Sequence, residues 1–224
     1  MEVIVIPGAS ISRAEHVKQL VEQLSSQAEN KRIVLCSSLS DTQTRLALLV
    51  SHFFENNSDL AHQELEAIRN FHISLAKELF AEHPTLLVDS LSNLLVEIEW
   101  ILEDGPVDAY EYTYDQIIAV GPLLASTLIS HYLLVNGFKN DWVDARNLIH
   151  TDNQYGAAEI ERAKTEQAID STLSPLLEQG WVITQSGIGT TSENFSTTLG
   201  ENADVLTAGV VASALSAQQV SLEL

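Results

Sequence analysis

Cysteine and basic residues are both scarce in this chain, and each scarcity excludes a class of function. One residue of 224 is a cysteine, so no disulfide can form within the chain, as suits a reducing compartment. That residue, Cys36, ends the apolar run Arg32-Ile33-Val34-Leu35-Cys36. It reads as a buried strand thiol, because nothing beside it would stabilise a thiolate nucleophile. Eleven Lys and Arg stand against 31 Asp and Glu, a formal net charge of −20. Such a surface repels nucleic acid and anionic membranes, so neither is an expected partner. It also makes an unfavourable field for ATP, and a nucleotide site would need local compensation. No uninterrupted apolar run reaches the ~20 residues of a membrane-spanning helix. The chain enters a strand pattern at its first residues, with no secretory leader, and the expected location is the cytoplasm. The histidines show no zinc-binding spacing, and His62 and His72 lie too far apart on one predicted helix to hold one ion. No metal site is expected.

What is present is a strand and helix alternation. Glu2–Ile6 is a short apolar strand followed by a Pro7-Gly8 turn. The next segment places Ala14, Val17, Leu20, Val21 and Leu24 on one helical face. Arg32–Cys36, apolar almost throughout, has the pattern of a central parallel strand. A polar loop, Ser37–Thr44, leads into a helix carrying Leu46, Leu49, Val50 and Phe53. This is the opening of an α/β fold with a parallel sheet. Three long helices are predicted next, roughly Asp59–Phe80, Thr85–Glu103 and Thr113–Asn136, broken by Pro84 and by Gly105-Pro106. Strands return at Trp142–Ala145, Trp181–Gln185 and Val220–Leu224. Phe195–Leu199 reads as one arm of a hairpin, and Ala203–Ala217 as a small-residue helix suited to close packing on a sheet.

Several segments carry a family resemblance. Residues 197–209 read Thr-Thr-Leu-Gly-Glu-Asn-Ala-Asp-Val-Leu-Thr-Ala-Gly. This resembles the Thr-Thr-Leu-Gly-Arg-Gly-Gly-Ser-Asp-Tyr-Ser-Ala signature of aspartokinases, in the amino-acid-kinase family. Met1–Ile11 is similar to the family's Val-Leu-Lys-Phe-Gly-Gly-Thr-Ser-Val start, and Val34–Leu46 to its Ser-rich second loop. Gly121–Gly137 parallels Gly-Glu-x-Leu-Ser and the helix after it. The nearest parallel is Trp142–Ala157, with Trp-Val-Asp-Ala-Arg and then Thr151-Asp152-x-x-Tyr155-Gly156-x-Ala. The segments occur in family order over nearly the whole chain.

The resemblance keeps the frame and loses the charges. The family's strand-end lysine corresponds to Val5, and the glutamate that orients the substrate amine to Pro122. The arginine that grips the substrate carboxylate corresponds to Glu201, and the aspartate of the catalytic centre to Val205. Asp204 takes that last place only if the loop is one residue shorter, and the ungapped frame also aligns Ala208, Ala212, Ala214 and Leu215. Phosphoryl transfer is mostly positioning and electrostatic stabilisation, and losing one preorganised charge costs several kcal/mol of it. What remains implies substrate contacts at Ser37, Thr42, Thr151 and Asp152, and nucleotide contacts at Gly8, Ser10, Gly187 and Gly189. Asp144 and Arg146 read as a structural ion pair or cap. The tyrosine-rich stretch Asp108–Asp115 reads as a packed helix entrance.

The resemblance implies a three-layer α/β/α sandwich of amino-acid-kinase type, mainly parallel, with an inserted helical segment. Residues 1–224 are expected to form a single such domain, without the C-terminal nucleotide lobe and the regulatory domains of aspartokinases. The expected function is binding or assembly after loss of catalysis, through a homodimer or another protein partner. No cofactor is then expected. The alternative is an aspartate kinase, moving phosphate from ATP, with Mg, to the side-chain carboxylate of L-aspartate. A further alternative is a non-catalytic sensor of a small amino acid.

Overall fold

A computed structural model describes residues 1–25, 31–80 and 85–222. Three strands form its centre: β1 (Glu2–Ile6), β2 (Arg32–Cys36) and β4 (Trp181–Gln185), each buried along its whole length. β3 (Asn140–Trp142) and β7 (Gln219–Leu222) complete a five-stranded sheet in the order β3-β4-β2-β1-β7, with every pairing parallel. Burial on both faces explains why the central strands are apolar without alternation. β3 begins two residues before the predicted strand. Pro84, predicted as a helix break, and the end of the predicted last strand lie outside the described residues.

Alternate residues feed two cores. Ile4, Ile6, Val34, Cys36 and Ile183 face a helical layer that includes α1 (Ala14–Ser25), α2 (Thr42–Phe54) and α6 (Val120–Val135). All five residues of the predicted α1 face are buried there. The inserted helices α3 (Ser58–Leu79), α4 (Thr85–Asp104) and α5 (Tyr110–Ile118) share this core. Val3, Val5, Ile33, Leu35 and Val182 face the other way, toward α7 (Arg162–Leu177) and α8 (Ala203–Ala214). The result is an α/β/α sandwich. One predicted helix becomes α5 and α6, with helical backbone at Ala119 between them. Together Tyr110–Val135 are long and apolar enough to cross a membrane, yet 83% of the apolar window is buried inside the protein. α6 is apolar on all sides because it is a core helix.

The strand ends place the loops that matter. Ser37 N–H donates to the Ile6 carbonyl and Ser186 N–H to the Cys36 carbonyl, so the ladder runs on past the strands. Gly8 lets two loops touch. A Cβ there would collide with the Ser38 carbonyl and stand 2.6 Å from that of Ser37. Beyond Gly187, at φ +80°, the chain forms the antiparallel hairpin of β5 (Ile188–Thr190) and β6 (Ser196–Thr198). It returns beside its start, where Leu199 N–H donates to the Gly187 carbonyl.

Cys36 is buried and unpaired, and burial pushes its thiol far up, so it is an inert core residue. Asp144 accepts Nε and Nη2 of Arg146 at 3.0 and 2.7 Å and caps the short 3-10 turn Ala145–Asn147. This is the structural pair expected from the sequence.

Candidate functional site

A cleft of about 660 Å³ opens at the C-terminal ends of the parallel strands, where ligands of open α/β sheets bind. Its floor comes from Ser37 and Ser38 after β2 and from Ser186-Gly187 after β4. Tyr114, Ile118 and Pro122, from α5 and α6, form one wall. The segment Gly200–Val205 forms another. Asn202, at φ 59°, turns the chain sharply into α8 there.

Asp204 stands at the centre of this arrangement. Its Oδ1 accepts the hydroxyls of Ser37 at 2.8 Å and Ser186 at 2.5 Å. It lies in the first turn of α8, where the helix dipole favours a carboxylate. Glu201 also lines the cleft and is exposed. No Lys, Arg or His is among the lining residues. Burial, with the neighbouring Tyr110 and Asp115, pushes the Tyr114 hydroxyl above its ordinary range, so it remains a neutral donor.

The four positions that the resemblance aligns with the family's charges do not all meet. Pro122, Glu201 and Val205 line the cleft. Val205 is 67% exposed at its rim. Val5 does not line it; it is 2% exposed and packed in the core that includes Leu35, Leu199 and Ala208. An apolar core side chain therefore stands at the position that the resemblance pairs with the strand-end lysine. Arg13, Lys31 and Arg146 are the candidate compensating cations, and none lines the cleft. Arg13 donates to His16 Nε2 at 2.8 Å, and Lys31 pairs with Glu178. Arg146 lies in a separate cavity with Glu97, Asp108 and Tyr112.

Of the expected substrate contacts, only Ser37 lines the cleft. Thr42 is buried in the first turn of α2, beside the lining residue Gln43. Thr151 is buried, with its Oγ1 2.8 Å from Thr197 Oγ1. Asp152 folds its own loop by accepting the N–H groups of Glu159 and Gln154 at 3.0 and 3.2 Å. Burial opposes its ionisation, but these donors together hold its carboxyl below the ordinary range.

Of the four expected nucleotide contacts, one lines the cleft. Gly187 lines the cleft. Gly8 is packed against the Ser37 and Ser38 carbonyls, and Gly189 against that of Ile149. Ser10 lines a smaller cavity beside α1, with His16. Both glycines serve close backbone packing.

Two residues organise the site from α5 without having been singled out. Asp115 Oδ2 accepts the N–H groups of Gly156 and Thr198, both at the cleft wall, at 2.9 and 3.0 Å. Gln116 pairs with the backbone of Ser196 through both amide atoms, at 3.1 and 2.9 Å. The tyrosine-rich stretch is thus a packed helix entrance, and Tyr112 also meets Tyr155 and Phe195 edge-on. Among the described residues, no group of three or more His, Cys, Asp or Glu could hold a metal ion.

Comparison with known proteins agrees with this fold. Lysine-sensitive aspartokinase 3 of Escherichia coli (strain K12) is 26% identical over 215 residues, covering 96% of this chain and 46% of that protein. The chloroplastic bifunctional aspartokinase/homoserine dehydrogenase 1 of Zea mays is 22% identical over 222 residues, covering 96% of this chain and 24% of that protein. The chain thus spans about a quarter to a half of these relatives. The crystal structure of E. coli aspartokinase III with aspartate and ADP superposes with a TM-score of 0.88 at 24% identity, covering 99% of this chain and 48% of that one. Clostridium acetobutylicum aspartate kinase superposes at 0.75 and 14% identity, with 99% and 47% covered. At these identities the superpositions establish the fold alone. A family model described as the amino acid kinase family matches residues 1–222, and the chain belongs to that family.

Proposed function

We propose that this chain is an aspartokinase-like protein that has lost phosphoryl transfer and works by binding. The observation that carries this reading is the charge of the cleft, which holds Glu201 and Asp204 and no cation among its lining residues. A transferring phosphoryl group needs positive charge or aimed donors where its own charge develops. Two carboxylates at that place oppose it. The described residues also fit a triphosphate poorly. Pro7 has no N–H to offer, and the packed carbonyls of Ser37 and Ser38 crowd Gly8. We derive no phosphate chemistry from this site.

The test is a calorimetric titration with Mg-ATP, alone and with L-aspartate, beside an assay of ADP release. The expected result is no saturable heat at millimolar ligand and no turnover. Saturable Mg-ATP binding that aspartate strengthens, with ADP release, would overturn the proposal. It would support the second reading, an aspartate kinase, which rests on the aspartokinase relatives and on Asp204 standing in the cleft. A non-catalytic amino-acid sensor would show aspartate or another amino acid binding without ADP release. We expect assembly as a homodimer, which sedimentation equilibrium measures directly.

A further inference from the structure

Arg13 is one of eleven Lys and Arg in the chain, and the manner in which His16 holds it depends on protonation. The 3-10 turn Gly8–Ser10 and the start of α1 follow β1, at the same end of the sheet as the cleft. Gly8 packs on the carbonyls of Ser37 and Ser38, and its own carbonyl accepts Ser40 N–H at 2.8 Å. The turn therefore abuts the loop that floors the cleft. His16, in the first turn of α1, reaches back to it. Its Nδ1 lies 2.8 Å from the Ser10 carbonyl oxygen, and its Nε2 lies 2.8 Å from Arg13 Nε.

These two contacts select one tautomer. A guanidinium only donates, so Nε2 must offer its lone pair to Arg13. A carbonyl oxygen only accepts, so Nδ1 must carry the proton. Ser12 N–H also approaches Nδ1, but at 3.4 Å it is too long to reverse the assignment. A second proton on the ring can go only to Nε2. An N–H would then face the Arg13 N–H, and two positive charges would stand at hydrogen-bonding distance. The Ser10 bond survives that change, because Nδ1–H still donates. The Arg13 bond does not. No other charge intervenes. The cavity of about 230 Å³ that His16 lines has no other ionisable residue in its walls, and the turn Gly8–Ser10 has none. Glu15 and Lys18, its neighbours on α1, are exposed and bond to neither side chain among the described residues. The histidine that meets a carboxylate there is His52, with Glu55.

We infer that Arg13 and His16 form a pH-operated latch. Neutral His16 holds the Arg13 side chain on α1, and a proton on Nε2 releases it. The freed cation stands at the same end of the sheet as a cleft that has no Lys, Arg or His among its lining residues. The latch does not depend on the loss of phosphoryl transfer, and the Mg-ATP titration tests that loss separately.

The experiment is nitrogen-15 NMR of the whole chain, titrated from about pH 7.5 to about pH 5, where imidazole changes charge. At the upper pH, His16 is expected to carry its proton on Nδ1, and the Arg13 Nε–H signal to be displaced from the free-arginine position. As His16 gains its second proton, the Arg13 signal should move to that position. His16→Gln offers Arg13 an acceptor that does not titrate, so the movement should vanish, whereas His62→Gln should leave it intact. An Nε2-protonated tautomer at the upper pH would overturn the inference. So would an Arg13 signal that stays put while His16 titrates, or one that still moves in His16→Gln. A thermal melt checks each variant, and the native titration decides the matter if His16→Gln misfolds.

Discussion

Asp115 and Thr198 are bound twice: Thr198 donates its backbone N–H to Asp115 Oδ2 at 3.0 Å and its hydroxyl to Oδ1 at 2.5 Å. The pair fastens α5 to the hairpin that carries one wall of the cleft. Burial pushes the Asp115 carboxyl above its ordinary range, although the Thr198 and Gly156 donors favour the charged form. A carboxyl raised in the folded state contributes stability at low pH that is lost as pH rises through the raised value.

Asp115→Ala is therefore expected to cost about 3 kcal/mol, because three donors lose their acceptor. Asp115→Asn should be far milder. Its carbonyl can take both N–H groups while its amide donates to Thr198 Oγ1. Urea melts at about pH 4 and pH 7 check this, and the stability of the Asn variant relative to the native Asp should rise toward pH 7.

His72 supplies the opposite pH dependence. It is fully buried, its Nδ1 meets the Ile68 carbonyl at 2.9 Å, and its Nε2 has no hydrogen-bond partner among the described residues. Burial pulls its pKa down to about 4, against the pull of the Ile68 carbonyl and the Asp41 charge. The stability it permits is complete above its unfolded value near 6.5 and is lost as pH falls toward 4, roughly 3 kcal/mol in all. Thermal melts across that window should show the loss in the native chain, and a smaller one in His72→Phe.

Gly8→Ala tests the contact between the loops after β1 and β2. The new methyl would meet backbone oxygens, which cannot turn aside as a flexible side chain can. A loss of about 2 kcal/mol or more is expected, read as a lowered urea midpoint. A neutral result would mean that the two loops separate easily.

Glu201→Arg tests the charge of the cleft. The substitution should give the chain a measurable affinity for inorganic phosphate, weakened by salt because the side chain is exposed. Turnover should not follow, since Val5 remains in the core and Pro122 in the cleft wall. Titration and ADP release measure the two outcomes separately.

The main elements were legible where burial was complete or strongly one-sided. β1, β2 and β4 are continuous apolar runs, and α1 has a clear buried stripe. α7 was not legible. Its buried residues, Thr165, Ile169, Leu173 and Leu177, form a stripe one residue wide that includes a polar threonine, and Pro175 lies inside it. In the cleft, Ser37 and Gly187 could be placed from the motif, while Thr151 and Asp152 could not. Their polar atoms are used by Thr197, Glu159 and Gln154, and a motif does not reveal which polar groups a fold consumes internally. Asp204 was visible only as the alternative to Val205, in a loop one residue shorter. The turn at Asn202 into α8 brings its carboxylate to Ser37 and Ser186.

The sequence by itself determined the family frame and the acidity, and its resemblance implied the replacement of charged residues at the motif positions. These properties reside in residue identity and order. Tertiary structure alone decided that Val5 is core while Glu201 and Asp204 share a cleft that no cation lines among the described residues. It also decided that Asp115 holds the wall of that cleft from a distant helix. Those relations depend on the approach of segments far apart in the chain, which local pattern does not encode.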